Sequence, residues 1–160
     1  MKLLRPDQVS GMNIHYKFYS LEYFLESQMR AGFKTIELWA GSPHFFLSNL
    51  EYDDCKKVSK MARERGLTIQ VIPPENSSVP YQFAAGDPDL YAKSFEYFKK
   101  GLDAGEELGC KVMAGHSGRG YLNEDREEGW KRGRDMLARL ADYAGTKGIT
   151  LAMESLRPDE

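Results

Sequence analysis

The sequence predicts an α/β fold with five strands and four helices arranged around a parallel sheet, and three observations carry that expectation. An amphipathic helical stretch, a glycine and a short apolar run recur four times along the chain. The runs are mainly apolar, as strands buried on both faces are. Titratable residues gather just past the C-terminal ends of those runs, while the opposite ends hold mostly glycines and lysines.

The first strand comes before any helix, where Met12, Ile14, Tyr16 and Phe18 alternate with polar neighbours. Ser20 is placed to cap a helix that carries Leu21, Phe24 and Leu25 on its apolar face. Ala31-Gly32 then precedes a second strand, Thr35-Ile36-Glu37-Leu38-Trp39, because a glycine just past a helix end accepts the positive φ that ends the helix. The next helix interleaves Lys56, Lys57, Lys60, Arg63 and Arg65 with Val58, Met61 and Ala62 at helical spacing, which makes its basic stretch a solvated outer face. Arg65-Gly66 leads into a third strand, Leu67 to Ile72. Asp87-Pro88 opens a long helix with a cap and a first-turn proline, and Leu108-Gly109 passes to a fourth strand, Cys110 to Ala114. Asn123, Glu124 and Asp125 start the last helix ahead of Trp130, Met136, Leu137 and Leu140, and Lys147-Gly148 leads to the fifth strand, Ile149 to Met153. The repeat glycines stand about 40 residues apart, the length of one helix and one strand with loops, and such αβ units build parallel sheets.

Composition narrows the function classes. In 160 residues, 22 Lys and Arg balance 24 Asp and Glu for a net charge of -2, so no global field favours nucleic acid or an anionic membrane, and a small-molecule substrate is expected. Cys55 and Cys110 lie in apolar segments without metal-ligand spacing, as reduced, buried thiols do. No apolar run approaches the roughly 20 residues of a membrane span and no signal-peptide pattern opens the chain, so a cytoplasmic protein is expected. No linker divides residues 1–160, which are expected to form a single domain.

Several residues could do chemistry. Glu154 closes an otherwise apolar strand, where a carboxylate is costly to desolvate unless a metal, a charge or hydrogen bonds hold it. It reads either as a ligand or base, or as a strand-end glutamate paired with a nearby Lys or Arg. His116, in a glycine-rich loop, and His44, beside Pro43, read as metal ligands or substrate donors, or else as exposed loop histidines, and His15 as a packed or hydrogen-bonded one. Glu160 follows Glu154 by six residues. The irregular segment from Pro73 to Gly86 is long for a compact domain and follows a strand end, where such enzymes place their sites. Gly115, Gly118 and Gly120 lack the spacing of a phosphate-binding loop. A five-stranded parallel start is compatible with a barrel or an open doubly wound sheet.

The motifs Glu37-Leu38-Trp39-Ala40-Gly41-Ser42-Pro43-His44, Pro74-Glu75-Asn76 with Val79-Pro80-Tyr81, Gly115-His116 with Gly120-Tyr121-Leu122, and Met153-Glu154 through Glu160 resemble the sugar phosphate isomerase/epimerase family of xylose-isomerase-like barrels. Within it they are most similar to the fructoselysine 3-epimerase branch, related to tagatose and psicose 3-epimerases. The resemblance implies that residues 1–160 are the N-terminal portion of a (β/α)8 TIM barrel, truncated after strand five. It implies one divalent ion, Mn2+ or Co2+ with Mg2+ as an option. Glu154 would be both metal ligand and the group that moves a proton at the sugar carbon. Glu160, His116 and His44 would bind substrate. It also implies that the remaining metal ligands and a second catalytic glutamate belong to later strands, so the 160-residue chain alone is expected to be inactive and to need a complementing C-terminal half or a homo-oligomer. Another isomerase of the same fold, of hydroxypyruvate or inosose type, fits the same motifs. An apurinic endonuclease of related fold fits less well, since it would want a histidine where Pro73-Pro74-Glu75 stands and a basic groove.

Overall fold

The structure, a computed structural model, describes residues 4–5, 8–47, 54–77, 80–116, 118 and 120–155. Its five strands are β1 (Ser10–Met12), β2 (Thr35–Glu37), β3 (Thr68–Ile72), β4 (Val112–His116) and β5 (Thr150–Glu154). They form one sheet in the order β1-β2-β3-β4-β5, every neighbouring pair parallel. Four helices, α1 (Leu21–Arg30), α2 (Cys55–Arg63), α3 (Pro88–Leu108) and α4 (Arg126–Thr146), connect them. Each helix packs on the next, and α2, α3 and α4 pack on the strands that follow them, so the helices form one layer behind the sheet. Sequential strand order with one-sided helices is the course of a barrel wall, since a doubly wound sheet reverses its order midway.

The caps that the sequence indicates are made. Ser20, Asp87 and Asp125 accept hydrogen bonds from Tyr23, Leu90 and Glu127 backbone N–H groups, and Asp54 does the same for α2 through Lys57. The four repeat glycines all have positive φ, Gly109 at 79° as it closes α3. In α2, Cys55, Val58, Ser59 and Ala62 are buried and Lys56, Lys57, Lys60 and Arg63 exposed, as expected of a solvated basic face. Arg65 departs from it, reaching Glu26 of α1 at 3.1 Å. Burial pushes both cysteine thiols up to about 12, which keeps them protonated and unreactive. No helix among the described residues is long and apolar enough to cross a membrane.

All five strands are bounded differently from the sequence reading: β3 starts one residue later, at Thr68, β5 is shifted by one residue to Thr150–Glu154, and the other three differences are larger. The alternation from Met12 to Phe18 is not a strand: β1 ends at Met12, and Asn13–Tyr16 form a 3-10 turn whose Tyr16 packs edge-on against Phe24. The chain leaves the ladder there because the Asn13 side chain takes over hydrogen bonds to the neighbouring strand. β2 stops at Glu37, although Leu38 and Ala40 still donate to Val71 and Pro73 carbonyls, so its continuation runs on irregularly beside β3. β4 runs from Val112 to His116 rather than Cys110 to Ala114, which moves His116 from a loop onto the sheet opposite Glu154.

One core joins sheet and helices, with Phe24, Leu25, Ile36, Leu38, Phe45, Ile72 and Leu102 fully buried. Each such side chain contributes about 1.5–3 kcal/mol. The long α3 lies close to the strands because its sheet-facing positions are small. A Cβ on Gly101 would stand 2.7 Å from Pro74 Cγ, and one on Gly105 would stand 3.0 Å from Ile72 Cγ2. Helical glycine normally loses about 0.5–1 kcal/mol to alanine, but overpacking a tight core costs about 1–3 kcal/mol, so the clash decides the sign at Gly101. Gly101→Ala is expected to lower unfolding stability by about 1–2 kcal/mol in urea titrations. Gly145→Ala, also helical but with open space around its Cβ, is expected to raise it by up to about 1 kcal/mol. Equal behaviour of the two variants would contradict this packing.

Candidate active site

The polar residues at the C-terminal rim hold one another, beginning with Asn13, which is fully buried. Its Oδ1 accepts from the Trp39 backbone N–H at 2.6 Å, and its Nδ2 lies 3.1 Å from both the Trp39 carbonyl and His44 Nδ1. An amide nitrogen only donates, so His44 Nδ1 accepts, and His44 Nε2–H donates to the Tyr19 carbonyl at 2.7 Å. His44, reached through a cis Ser42-Pro43 bond and 8 % exposed, thus clasps the β1 and β2 ends together with both ring nitrogens engaged inside the protein.

Trp39 carries the network onward. Its indole Nε1–H donates to Glu75 Oε2 at 2.9 Å, and the other oxygen of Glu75 accepts from the Ser77 N–H at 2.5 Å. Glu75 is 8 % exposed, and the Tyr97 hydroxyl donates to its carbonyl at 2.8 Å. Asn76 and Ser77 then reach β4: Asn76 Nδ2 lies 3.4 Å from His116 Nδ1 and 3.5 Å from the His116 carbonyl, and Ser77 Oγ lies 3.0 Å from His116 Nε2. The segment after β3 therefore splits. Its first part, Pro74 to Ser77, belongs to the rim, while Tyr81, Phe83, Ala84 and Ala85 are buried, Tyr81 stacked on Tyr97 at 4.3 Å and Phe83 against Phe98 at 4.2 Å. Gly118 has φ 70° and rests against Phe83, which accounts for that glycine by packing.

The face of the sheet away from the helices carries the carboxylates. Leu151 packs against the core, so strand alternation puts Thr150, Ala152 and Glu154 on the opposite face, and Glu154 stands level with His116. Glu37 follows the fully buried Ile36 and so faces the same way from β2. Burial, and then the Glu154 charge, hold the Glu37 carboxyl above the ordinary glutamate range. Neither carboxylate has an ion-pair partner or hydrogen-bond donor for its side chain among the described residues. His15 lies in the 3-10 turn, away from this group in the chain path. Glu160 lies outside the described residues. Among the described residues, no three His, Cys, Asp or Glu side chains stand close enough to hold a metal ion.

Sequence reasoning singled out Glu154, Glu160, His116 and His44, quoted Glu37 and Glu75 within motifs without assigning either a role, and passed over Asn13. Glu75 had a signal, an acid directly after an apolar strand and two prolines. Glu37 was hidden inside a strand, and Asn13 inside an alternation that looked like one.

The C-terminal ends of a sequential parallel sheet, where these carboxylates and histidines gather, are where α/β barrel enzymes place their sites. The chain belongs to the family described as xylose isomerase-like TIM barrel, whose profile matches residues 29–160. It is 28% identical over 143 residues to fructoselysine 3-epimerase of Escherichia coli O157:H7, covering 88% of this chain and 51% of that protein. It is 29% identical over 129 residues to the probable endonuclease 4 of Thermoplasma acidophilum, covering 81% of this chain and 39% of that one. The D-psicose 3-epimerase of Clostridium cellulolyticum H10, solved with D-tagatose, superposes with a TM-score of 0.68 at 19% identity over 85% of this chain and 47% of its own. The chain spans about half the length of the curated epimerase it matches, consistent with a truncated barrel.

The Glu37 carboxyl gives a pH test with a fixed sign. Because its folded pKa is raised, the folded chain favours its neutral form, so stability present below the ordinary glutamate range is lost as pH rises through the raised value. Glu37→Gln is expected to raise the melting temperature at about pH 7 and leave it unchanged near pH 4, close to the ordinary glutamate pKa. A lower melting temperature at neutral pH would mean that Glu37 has a favourable partner when ionised.

Proposed function

We propose that this chain supplies the N-terminal half of the active site of a metal-dependent sugar epimerase acting at carbon 3 of a ketose or ketosyl-amine. The observation that carries the reading is Glu154, an unneutralised carboxylate at the end of β5, on the sheet face away from the helices and level with His116. Membership of a barrel family whose matched relatives include 3-epimerases supports it.

In this reading Glu154 removes the proton from the carbon next to the ketose carbonyl, leaving an enediolate, and a carboxylate from the far half of the barrel returns a proton to the opposite face, inverting the centre. Glu154 also serves as one ligand of a divalent cation, Mn2+ or Co2+ or else Mg2+, whose other ligands belong to later strands. When bound, that ion would polarise the carbonyl. Glu37 lends the site a second carboxyl that burial and the Glu154 charge keep more readily protonated. His116, Glu160 and the His44 turn line the sugar, with His44 acting through the β1 and β2 ends that it clasps. The parent protein is an isomerase of the cytoplasm in this reading, and residues 1–160 form one incomplete domain.

The test is exchange of the carbon-bound proton of a ketose with deuterated solvent, read with and without added metal. The 160-residue chain alone is expected to show no exchange, because one or two carboxylates compete poorly with the hydration of a divalent ion. The chain joined to strands that complete the barrel is expected to exchange, and Glu154→Gln there to lower the rate by about 100-fold or more. Metal-dependent exchange by the short monomeric chain would contradict the half-site reading. Exchange that survives Glu154→Gln would remove Glu154 from the proton transfer.

A further inference from the structure

The loop after β3 meets His116 at three points, and together they fix the histidine's protonation pattern. Asn76 Nδ2 faces both His116 Nδ1 and the His116 carbonyl oxygen. A carbonyl can only accept, so the amide is oriented with its NH2 toward the histidine, and Nδ1 must then be the unprotonated, accepting nitrogen. The ring proton of neutral His116 therefore sits on Nε2, where its acceptor is Ser77 Oγ at 3.0 Å. A serine hydroxyl that accepts one hydrogen bond still has its own proton to donate. Among the described residues no group accepts that proton, and Ser77 opens to solvent on the rim beside His116.

Ser77 does not hold this place alone. Its backbone N–H is tied to Glu75 Oε1, and the second oxygen of Glu75 is held by the Trp39 indole. Glu75 is buried and rests on the Tyr97 hydroxyl through its own carbonyl, so it anchors the turn against the body of the protein. A carboxylate accepting two N–H bonds from different elements fixes a loop more firmly than a neutral group would.

We propose that Ser77 is a ligand-binding residue of this rim, donating its hydroxyl proton to an oxygen of a ketose while accepting from His116 Nε2–H, and that Glu75 is the positioning residue that holds it there. The ligand class rests on the epimerase reading above; the hydrogen-bond pattern does not. His116 thereby acts on the sugar through Ser77: its Nε2–H polarises the hydroxyl, which becomes a better donor than an isolated serine.

The experiment is nitrogen-15 NMR of the His116 ring and of backbone amides in the 160-residue chain, with D-fructose as the probe. In the unsubstituted chain at mildly alkaline pH, His116 is expected as the neutral Nε2–H tautomer, and D-fructose is expected to shift the Ser77 amide and His116 Nε2 signals. Ser77→Ala is expected to cut the sugar-induced shift at His116 by several-fold, and Ser77→Thr, which keeps the hydroxyl, to restore it. Glu75→Gln is expected to mix the two tautomers and weaken the sugar response, with core signals such as Leu102 and Ile72 unmoved. If Glu75→Gln unfolds the chain, Trp39→Phe removes one of the same two bonds and is expected to have the same effect. An Nδ1–H tautomer, a sugar response unchanged in Ser77→Ala, or no response to D-fructose in the unsubstituted chain would each overturn the assignment. The readout needs no turnover. An intact Ser77 response without carbon–hydrogen exchange in the completed barrel would condemn the epimerase chemistry alone, and exchange without that response would condemn this assignment alone.

Discussion

The parallel hydrogen-bond ladder is the constraint from which the rest follows. Five strands paired in one direction and in sequence order bring every C-terminal strand end to one rim. A backbone leaving a ladder carries N–H and C=O groups that must find partners where they are buried. Here side chains supply them. Asn13 meets both backbone groups of Trp39, and Glu75 receives the indole N–H of that residue and the Ser77 N–H. The same groups that satisfy the rim also fix where its chemical residues stand, so stability and site geometry have a common origin at this end of the sheet.

Two kinds of acidic group result, and their partners separate them. Glu75 is buried but saturated by donors, so its charge is compensated and its role is to hold a loop. Glu37 and Glu154 stand on the same face of the sheet with no cation between them among the described residues, and burial and then the Glu154 charge make the ionisation of Glu37 harder to accommodate. An arrangement that is unfavourable in isolation but sits where a ligand would bind is the pattern expected of a functional carboxylate pair. Among the described residues the sheet has open edges at β1 and β5, and Met153 of β5 and Tyr121, Leu122 and Trp130 near the start of α4 are exposed. Open parallel edges call for a covering partner. Further barrel strands beyond β5 would cover both that edge and the bare carboxylate face.

The sheet order and helices were legible because they rest on local signals that agree: Ser20, Asp87 and Asp125 cap helices, and Gly32, Gly66, Gly109 and Gly148 end them. The strand ends were less legible because tertiary contacts move them. Asn13 ends β1 early through bonds to a residue 26 positions away, and pairing with β5 carries β4 out to His116. Glu154 could be found by its contrast with the apolar strand before it, and His116 and His44 by their type. Their roles could not be read so easily. Only the positions of Asn13 and Tyr19 show that both nitrogens of His44 are engaged inside the protein. Likewise only the close approach of Pro74 and Ile72 shows that Gly101 and Gly105 are what lets α3 close on the sheet.

The central claim is that the sheet face between β2 and β5 is the working surface of the chain. The most direct measurement is a titration of Mn2+ into the nitrogen-15-labelled chain, following which backbone amides broaden first, since a paramagnetic ion marks even weak binding by proximity. The account predicts that the amides of Glu37, Ala114, His116, Ala152 and Glu154 broaden ahead of all others, because these residues share that face and its uncompensated carboxylates. Broadening led instead by Asp125, Glu127 and Glu128, the acidic first turn of α4, would show that the ion follows surface charge and would contradict the account.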